Sequence, residues 1–303
     1  MSNSWFLVLI IDNEFMIKNK IFQIQKIMGI KGFTLDKRKD STLKIGKLYY
    51  RKVTIPCAKE KYQERMLRVW VPRNFDINKE YGVLYMSDGQ NAVDESLTMY
   101  GEWNMEEHFD KLTKQGYPEF IIVGIDCAKN VRERKAEYLP IKPSGRPEKA
   151  FKDYYGDKFA QYFVETFVPL INETFNINQD LVGFCGSSMG GLISLYFVAK
   201  YPKIFKFCLS YSPALSYYKR EHIIRLFNER KFNPEKDPSF VFFLGGADRL
   251  EKEFAKNTDL LVSLFIECGY PQNKIHYQKD LTRIHHETSW SDNIEESLKF
   301  VLP

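Results

Sequence analysis

The stretch that decides the fold of this chain is Gly183-Phe184-Cys185-Gly186-Ser187-Ser188-Met189-Gly190-Gly191-Leu192. An apolar run typical of a buried strand, Leu181–Cys185, leads into it, and a helical pattern, Leu192–Lys200, follows it. A serine held on so sharp a turn has strained backbone angles, so the residues two positions away must lack bulk. The Gly-x-Ser-x-Gly pattern therefore predicts a serine hydroxyl raised above a sheet edge, near the positive N-terminal end of a helix. The alternative is a glycine-rich turn that only packs a helix on a sheet.

Apolar runs and helical patterns alternate on both sides of this turn. The runs predicted as buried strands are Val83–Met86, Phe120–Ile125, Leu181–Cys185, Phe207–Leu209 and Phe240–Leu244. Apolar residues at helical spacing follow in Phe159–Ile171 and Leu260–Phe265. Earlier, Lys47–Ile55 and Leu67–Val71 alternate with period two, which is typical of antiparallel edge strands. The pattern predicts the α/β class, with a mostly parallel central sheet, antiparallel N-terminal strands and helices on both faces.

Two segments stand apart from this alternation. Residues 1–43 have no place in it, and we predict that they form an N-terminal extension to one domain over residues 44–303. The connection Cys127–Asp153 is 27 residues long, has no sustained period, and carries eight Lys or Arg against four Asp or Glu. Connections of that length tend to be lids or binding loops. A solvated surface loop with a harmless charge excess is the alternative.

Composition excludes several classes of protein. The 303 residues carry a net charge of only +5, which falls short of the basic face of a nucleic-acid-binding protein. The apolar run Trp5–Ile11 is too short to span a bilayer and lacks the flanks of a signal peptide. Five cysteines without a CxxC pair suit thiols in a reducing compartment. We therefore expect a cytoplasmic protein that binds neither nucleic acid nor membrane. Its sequence has no HExxH, P-loop or nicotinamide motif, so we expect no metal or cofactor.

A serine nucleophile needs a histidine base that is oriented by a carboxylate. His276 lies in a period-two strand pattern, which leaves His285 and His286, in the loop that follows it, as candidates for the base. The apolar run Phe240–Leu244 ends in two glycines and Asp248, which we predict to be the carboxylate. Glu251 is the alternative acid. It also fits an acidic residue in the first turn of the next helix that has no catalytic role.

The reaction also needs two donors for a developing oxyanion. One is predicted to be the backbone N–H of Met189, directly after the serine. The other is expected from the loop Tyr85-Met86-Ser87-Asp88-Gly89-Gln90-Asn91, where Gly89 allows a tight turn. The backbone N–H of Gln90 is therefore the predicted second donor.

These motifs, taken in order, resemble the putative esterase family of α/β-hydrolases, which includes esterase D, feruloyl and acetyl-xylan esterase domains and siderophore trilactone esterases. The resemblance covers about Lys47 to the C-terminus. Besides the serine turn and the loop of Gln90, it rests on these motifs: Glu102-Trp103, Val123-Gly124-Ile125-Asp126, Arg134-Lys135-Ala136-Glu137-Tyr138, Tyr211-Ser212-Pro213 and His285-His286-Glu287-Thr288-Ser289-Trp290. The family often has His where Ser87 stands, and residues 92–94 are less apolar here than is usual for it.

The resemblance implies an α/β-hydrolase fold and a serine carboxylic-ester hydrolase that works through an acyl-enzyme. The family's His-x-Glu-x-x-Trp ending selects His285 as base, beside Ser188 as nucleophile and Asp248 as acid. Trp103, Trp290 and Arg134 of the basic loop are expected to shape a pocket for a small-molecule ester: an acyl, aromatic-acid, sugar or siderophore ester. An inert binding protein on a hydrolase fold and an acyltransferase with the same triad are the alternatives.

Overall fold

A computed structural model describes residues 29–57, 62–98, 100–144, 153–227 and 236–303. The described residues contain nine strands in one sheet. In chain order they are β1 Thr34–Leu35, β2 Lys47–Pro56, β3 Tyr62–Val71, β4 Tyr81–Ser87, β5 Phe120–Ile125, β6 Ile177–Ser187, β7 Phe207–Tyr211, β8 Ser239–Leu244 and β9 Ile275–Lys279.

The sheet has the order β1-β2-β3-β5-β4-β6-β7-β8-β9. Strands β1, β2, β3 and β5 pair antiparallel in that sequence. All pairings from β5 to β9 are parallel. The predicted fold class, a mostly parallel α/β-hydrolase sheet with antiparallel N-terminal strands, is confirmed. Because β4 to β9 run the same way, the loops after their carboxyl ends meet along one edge of the sheet.

Helices cover both faces of this sheet. The described helices are α1 Met105–Lys114, α2 Val131–Tyr138, α3 Gly156–Thr174, α4 Met189–Lys200, α5 Arg220–Phe227, α6 Arg249–Glu267, α7 Glu287–Ser291 and α8 Ile294–Val301. Apolar side chains of α3, α4 and α6 share one core with Val83 and Tyr85 of β4. Those of α1 and α8 share a second core with Leu84 and Met86. The alternation of side chains along β4 thus divides the core into two layers.

The chain before residue 44 belongs partly to the same sheet. The prediction that Lys47–Ile55 and Leu67–Val71 form edge strands is wrong, because β2 pairs with β1 and β3, and β3 pairs with β2 and β5. Arg38, Ser41 and Thr42 all bond to the buried carboxylate of Asp94, which follows β4. Although burial raises the pKa of Asp94, bonds from these hydroxyl and N–H groups hold it well below its usual value. The predicted extension over 1–43 is therefore packed on the domain from residue 29 onward, and residues 1–28 lie outside the described residues.

The long basic connection is also more ordered than its sequence pattern indicates. It contains α2, a helix with no apolar stripe, which is why the periodicity did not reveal it. Ion pairs anchor this helix: Arg134 pairs with Asp88, and the buried Glu137 pairs with Arg65 at 3.2 Å. Residues 145–152 of the connection lie outside the described residues.

No helix among the described residues is long and apolar enough to cross a membrane.

Candidate active site

Ser188 stands on a strained turn between β6 and α4. Its backbone angles are φ 56° and ψ −122°, a combination that costs a non-glycine residue about 1–3 kcal/mol. Its N–H donates to the carbonyl of Tyr211, and its own carbonyl accepts from the N–H groups of Leu192 and Ala214. These bonds to the end of β7 fix the turn. The predicted strand–serine–helix arrangement is what the chain adopts.

The two flanking glycines are required by the packing under this turn. A Cβ on Gly186 would lie 2.2 Å from the Oγ of Ser87, and one on Gly190 would lie 2.4 Å from the same atom. Neither distance is sterically possible for a side chain. Ser87 ends β4, so the Gly-x-Ser-x-Gly pattern allows the serine turn to lie directly against the neighbouring strand.

His285 lies on the same edge of the sheet, in the loop after β9. Its Nδ1 is 2.7 Å from Oε1 of Glu251, a residue of α6 that is fully buried. An ionised carboxylate only accepts hydrogen bonds, so Nδ1 carries the proton and Nε2 is left as an acceptor. The rings of Trp290 and Phe254 pack edge-on against the imidazole at 4.9 and 5.3 Å. The orientation of the ring is therefore fixed on three sides.

The carboxylate of Glu251 is held by two further donors. The hydroxyl of Ser212 donates to Oε2 at 2.9 Å, and the N–H of Gly245 donates to the same oxygen at 2.8 Å. The indole N–H of Trp290 in turn donates to the Ser212 oxygen at 3.0 Å. Both oxygens of this buried carboxylate thus have hydrogen-bond partners, as a buried polar group requires. Only the family motif Tyr211-Ser212-Pro213 had drawn attention to Ser212, and its bond to Glu251 and its positive φ of 43° appear only in the structure.

The structure places Asp248, the predicted acid, against backbone groups instead of the imidazole. One oxygen accepts from the N–H of Glu251 at 2.9 Å, which caps the N-terminus of α6. The other accepts from the backbone N–H of His285 at 2.6 Å. Burial raises its pKa, but the N–H groups of Glu251, His285 and Leu250 together hold that pKa below its usual value. Asp248 positions both the helix and the histidine loop, and Glu251 replaces it as the candidate acid.

The spacing of these two acids in the sequence indicates that Asp248 caps the helix. Asp248-x-x-Glu251 has the spacing of a helix capping box, in which the first residue caps the helix. In the usual capping box the second acid turns back to the cap. Here its carboxylate points to His285 instead.

His286, the alternative base, has a different role. Its Nδ1 accepts from the N–H of Thr288 at 3.3 Å and caps the short helix α7. Of the two histidines that the sequence left open, the structure brings only His285 to a carboxylate.

The two predicted oxyanion donors lie at the starts of two helical turns. Met189 is the first residue of α4, where backbone N–H groups have no partner within the helix. Gln90 lies in a 3-10 turn, Gly89–Asn91, directly after the left-handed Asp88 at φ 53°. The side-chain amide of Gln90 is bonded to Sγ and the backbone N–H of Cys127, two residues after the end of β5.

The structure buries two of the three predicted pocket residues and pairs the third with a carboxylate. Trp103 and Trp290 are buried, and their rings pack against each other at 5.7 Å in the core below the site. Arg134 forms two bonds of 2.7 Å to the carboxylate of Asp88. Burial lowers the pKa of Arg134, but the charge and bonds of Asp88 raise it above its usual value. Trp103 and Trp290 therefore support the site from the core, and Arg134 is held by its ion pair with Asp88.

A further carboxylate, Glu287, lies two residues after His285. It is buried, and the amide of Asn91 donates to its Oε1 at 3.4 Å, which joins the histidine loop to the loop of Gln90. Burial, together with the nearby charge of Asp88, raises the pKa of Glu287 to about 7. Only its place in the family motif had drawn attention to this residue.

We expect Glu287→Gln to change the pH dependence of stability. From pH 4.5 to about 7 the folded protein keeps a proton on Glu287 that the unfolded chain has released. The free energy of unfolding therefore falls as the pH rises through this window. Glutamine cannot ionise, so the variant should not show this fall. In urea denaturation between pH 5 and 8, its free energy of unfolding should rise relative to that of the wild type by at most about 3 kcal/mol.

The matched control for this measurement is Glu173→Gln, at an exposed position near the end of α3. Its stability difference from the wild type should not vary with pH. The expectation would be contradicted if the stability difference between Glu287→Gln and the wild type were also independent of pH.

Among the described residues, no group of three or more His, Cys, Asp or Glu side chains is arranged to hold a metal ion.

Comparison with protein families gives a match over most of the chain. The family model described as "Putative esterase" matches residues 59–264. Among curated proteins, "Uncharacterized protein YbbA" of Bacillus subtilis (strain 168) is 26% identical over 153 residues. That alignment covers 49% of this chain and 56% of YbbA, so the chain spans about half the length of this relative.

Solved structures share the fold at low sequence identity. The BES protein from Bacillus cereus has a TM-score of 0.61 at 17% identity and covers 88% of this chain and 98% of its own. The siderophore hydrolase EstB from Aspergillus nidulans has a TM-score of 0.60 at 16% identity. The match covers 88% of this chain and 97% of EstB. The enterobactin esterase FES from Shigella flexneri has a TM-score of 0.60 at 16% identity. The match covers 82% of this chain and 58% of FES.

Proposed function

Because this chain belongs to the Putative esterase family, we propose that it hydrolyses carboxylic esters through an acyl-enzyme formed on Ser188. The observation that carries the proposal is the 2.7 Å bond between His285 Nδ1 and Glu251 Oε1, on the sheet edge where Ser188 occupies its strained turn. Family membership supports ester hydrolysis. The assignment of roles to individual residues is our own.

In the first half of the reaction, Ser188 Oγ attacks the ester carbonyl carbon, and Nε2 of His285 takes the hydroxyl proton. The buried carboxylate of Glu251 stabilises the imidazolium that forms, because it already holds Nδ1–H. The tetrahedral oxyanion accepts hydrogen bonds from the backbone N–H groups of Met189 and Gln90. When the intermediate collapses, the proton passes from Nε2 to the departing alkoxide, and the alcohol leaves.

In the second half, water replaces the alcohol. His285 takes a proton from the water, which attacks the acyl carbon on Ser188. The second tetrahedral intermediate collapses, the proton returns to Ser188 Oγ, and the carboxylic acid is released. Each residue acts twice, and no other group is needed.

Covalent labelling tests the nucleophile directly. A fluorophosphonate transfers its phosphonyl group to an activated serine and releases fluoride. We expect one label per chain, located on Ser188 by peptide mass spectrometry, and we expect p-nitrophenyl acetate to be turned over catalytically.

The neighbouring serine provides a matched control. Ser188→Ala should lose both labelling and turnover, whereas Ser187→Ala, one residue earlier at the end of β6, should keep the label. A protein that takes no label, or takes it elsewhere than on Ser188, would overturn the proposed mechanism.

A further inference from the structure

Exposed large apolar side chains are frequent in the segments next to His285. Eight such side chains are exposed among the described residues, and four of them lie in the histidine loop or in segments that contact it. These four form what we call the apolar collar: Leu281, Tyr100, Ile284 and Leu250, exposed by 72%, 65%, 50% and 39%. Single exposed apolar residues are normal on protein surfaces. A group of four at one catalytic side chain needs an explanation.

Two collar residues belong to the loop that carries the histidine. Ile284 directly precedes His285. Leu281 lies over Gly246, where a Cβ would come within 2.7 Å of its Cδ2. The backbone N–H groups of Gly246 and Ala247 both donate to the carbonyl of Arg283 at 3.0 Å, so this loop is tied to the end of β8. The loop therefore presents both side chains from a fixed backbone.

The other two collar residues come from neighbouring segments, one from a helix and one from a loop. Leu250 lies in the first turn of α6, between Asp248, which binds the backbone of His285, and Glu251, which binds its ring. Tyr100 precedes Gly101, where a Cβ would lie 3.5 Å from the His286 ring and 3.7 Å from Cβ of Glu287. Three segments that meet at the histidine loop thus carry exposed apolar side chains.

The chemistry of the reaction says which part of an ester meets this collar. In serine hydrolysis the histidine gives its proton to the departing alcohol, so the alcohol oxygen must reach Nε2 of His285. The groups attached to that oxygen then lie among the residues that flank the histidine. The acyl carbonyl, in contrast, is held at the Met189 and Gln90 N–H groups.

We propose that the apolar collar binds a large apolar group on the alcohol side of the ester. This inference rests on the proposed function of Ser188 and His285, and it adds the substrate class: esters of bulky, apolar alcohols. Contact with the collar removes apolar surface from water, which favours binding in proportion to the area covered.

An alkyl acetate series tests the proposal on the full chain. Ethyl, butyl and octyl acetate share one acyl group and nearly the same leaving-group reactivity, so differences among them report contacts of the alcohol. We expect kcat/KM, measured by pH-stat titration, to rise by roughly fourfold for each methylene that the collar covers. Ethyl octanoate, which carries the same methylenes on the acyl side, should gain less than octyl acetate.

Substitution of the collar should remove this preference. In the double variant Leu281→Ser with Ile284→Ser, the ratio of kcat/KM for octyl over ethyl acetate should fall about tenfold or more. Both side chains are exposed, so folding is preserved, and the melting temperature checks this. The matched control is Tyr62→Ser with Ile266→Ser, which removes two exposed apolar side chains outside the collar. Its ratio should equal that of the wild type.

The outcomes separate this inference from the proposed function. If Ser188→Ala hydrolyses ethyl acetate as the wild type does, the proposed function fails. Suppose that hydrolysis depends on Ser188 but kcat/KM does not rise with the length of the alcohol, or that the octyl-over-ethyl ratio of kcat/KM is unchanged in the collar variant. In either case only the collar proposal fails. A rate that rises abruptly when octyl acetate forms droplets would also overturn it, in favour of a collar that binds a lipid surface.

Discussion

Glu251→Gln should lower kcat for p-nitrophenyl acetate by roughly 10³–10⁴-fold, the loss typical when a triad acid becomes an amide. The glutamine keeps the size of the side chain and its place beneath His285. However, its amide no longer attracts the imidazolium and allows the wrong tautomer of the ring. Steady-state kinetics with the purified variant measure the effect, and an unchanged melting profile confirms that the fold persists.

The matched comparison is Asp248→Asn. Both acids bond to His285, but Glu251 bonds to its ring and Asp248 to its backbone N–H. Asparagine has only one acceptor oxygen, so it keeps one of the two bonds, either the cap of α6 or the bond from the backbone N–H of His285. The imidazole keeps its bond to Glu251, so we expect a loss well below that of Glu251→Gln. A larger loss in Asp248→Asn than in Glu251→Gln would contradict the assignment and restore Asp248 as the acid.

The second large effect concerns stability. Arg134→Ala should lower the free energy of unfolding by up to about 3 kcal/mol, the lower end of the range for breaking a buried ion pair. The substitution removes both 2.7 Å bonds to Asp88, and the pair is largely buried: the Asp88 side chain is 9% exposed and that of Arg134 25%. The guanidinium also lies over the ring of Tyr138, 5.1 Å from its centroid, so packing is lost as well.

A double-mutant cycle isolates the interaction measured by urea denaturation. Asp88→Asn with Arg134→Met removes both charges together, and we expect it to cost less than the sum of the two single changes. Additive effects would mean that the ion pair contributes little and that Arg134 acts only through packing. A loss below 1 kcal/mol in Arg134→Ala would lead to the same conclusion.

Sequence reasoning succeeded where a structural requirement is local. The strand β5 was predicted at its observed bounds, Phe120–Ile125, because a continuous apolar run marks a strand buried on both faces. The turn at Ser188 was readable because its steric requirement falls on residues two positions away. Helix α2 was missed because ion pairs hold it instead of an apolar stripe.

The supporting contacts of the site could not be read in this way. The bonds from Arg134 to Asp88 and from Ser212 to Glu251 join residues 46 and 39 positions apart. Trp290 was expected in a pocket, but its indole N–H instead holds Ser212 from below. Residue type alone does not distinguish a buried partner from a pocket wall.

By itself, the sequence determined that a serine occupies a tight turn between a strand and a helix, on the edge where parallel strands end. It did so because the sterics of that turn act over five consecutive residues. Only the tertiary structure decided that Glu251, and not Asp248, meets His285. The two acids are one helical turn apart, so the choice depends on how α6 is placed against the loop after β9. That placement results from packing between distant segments of the chain.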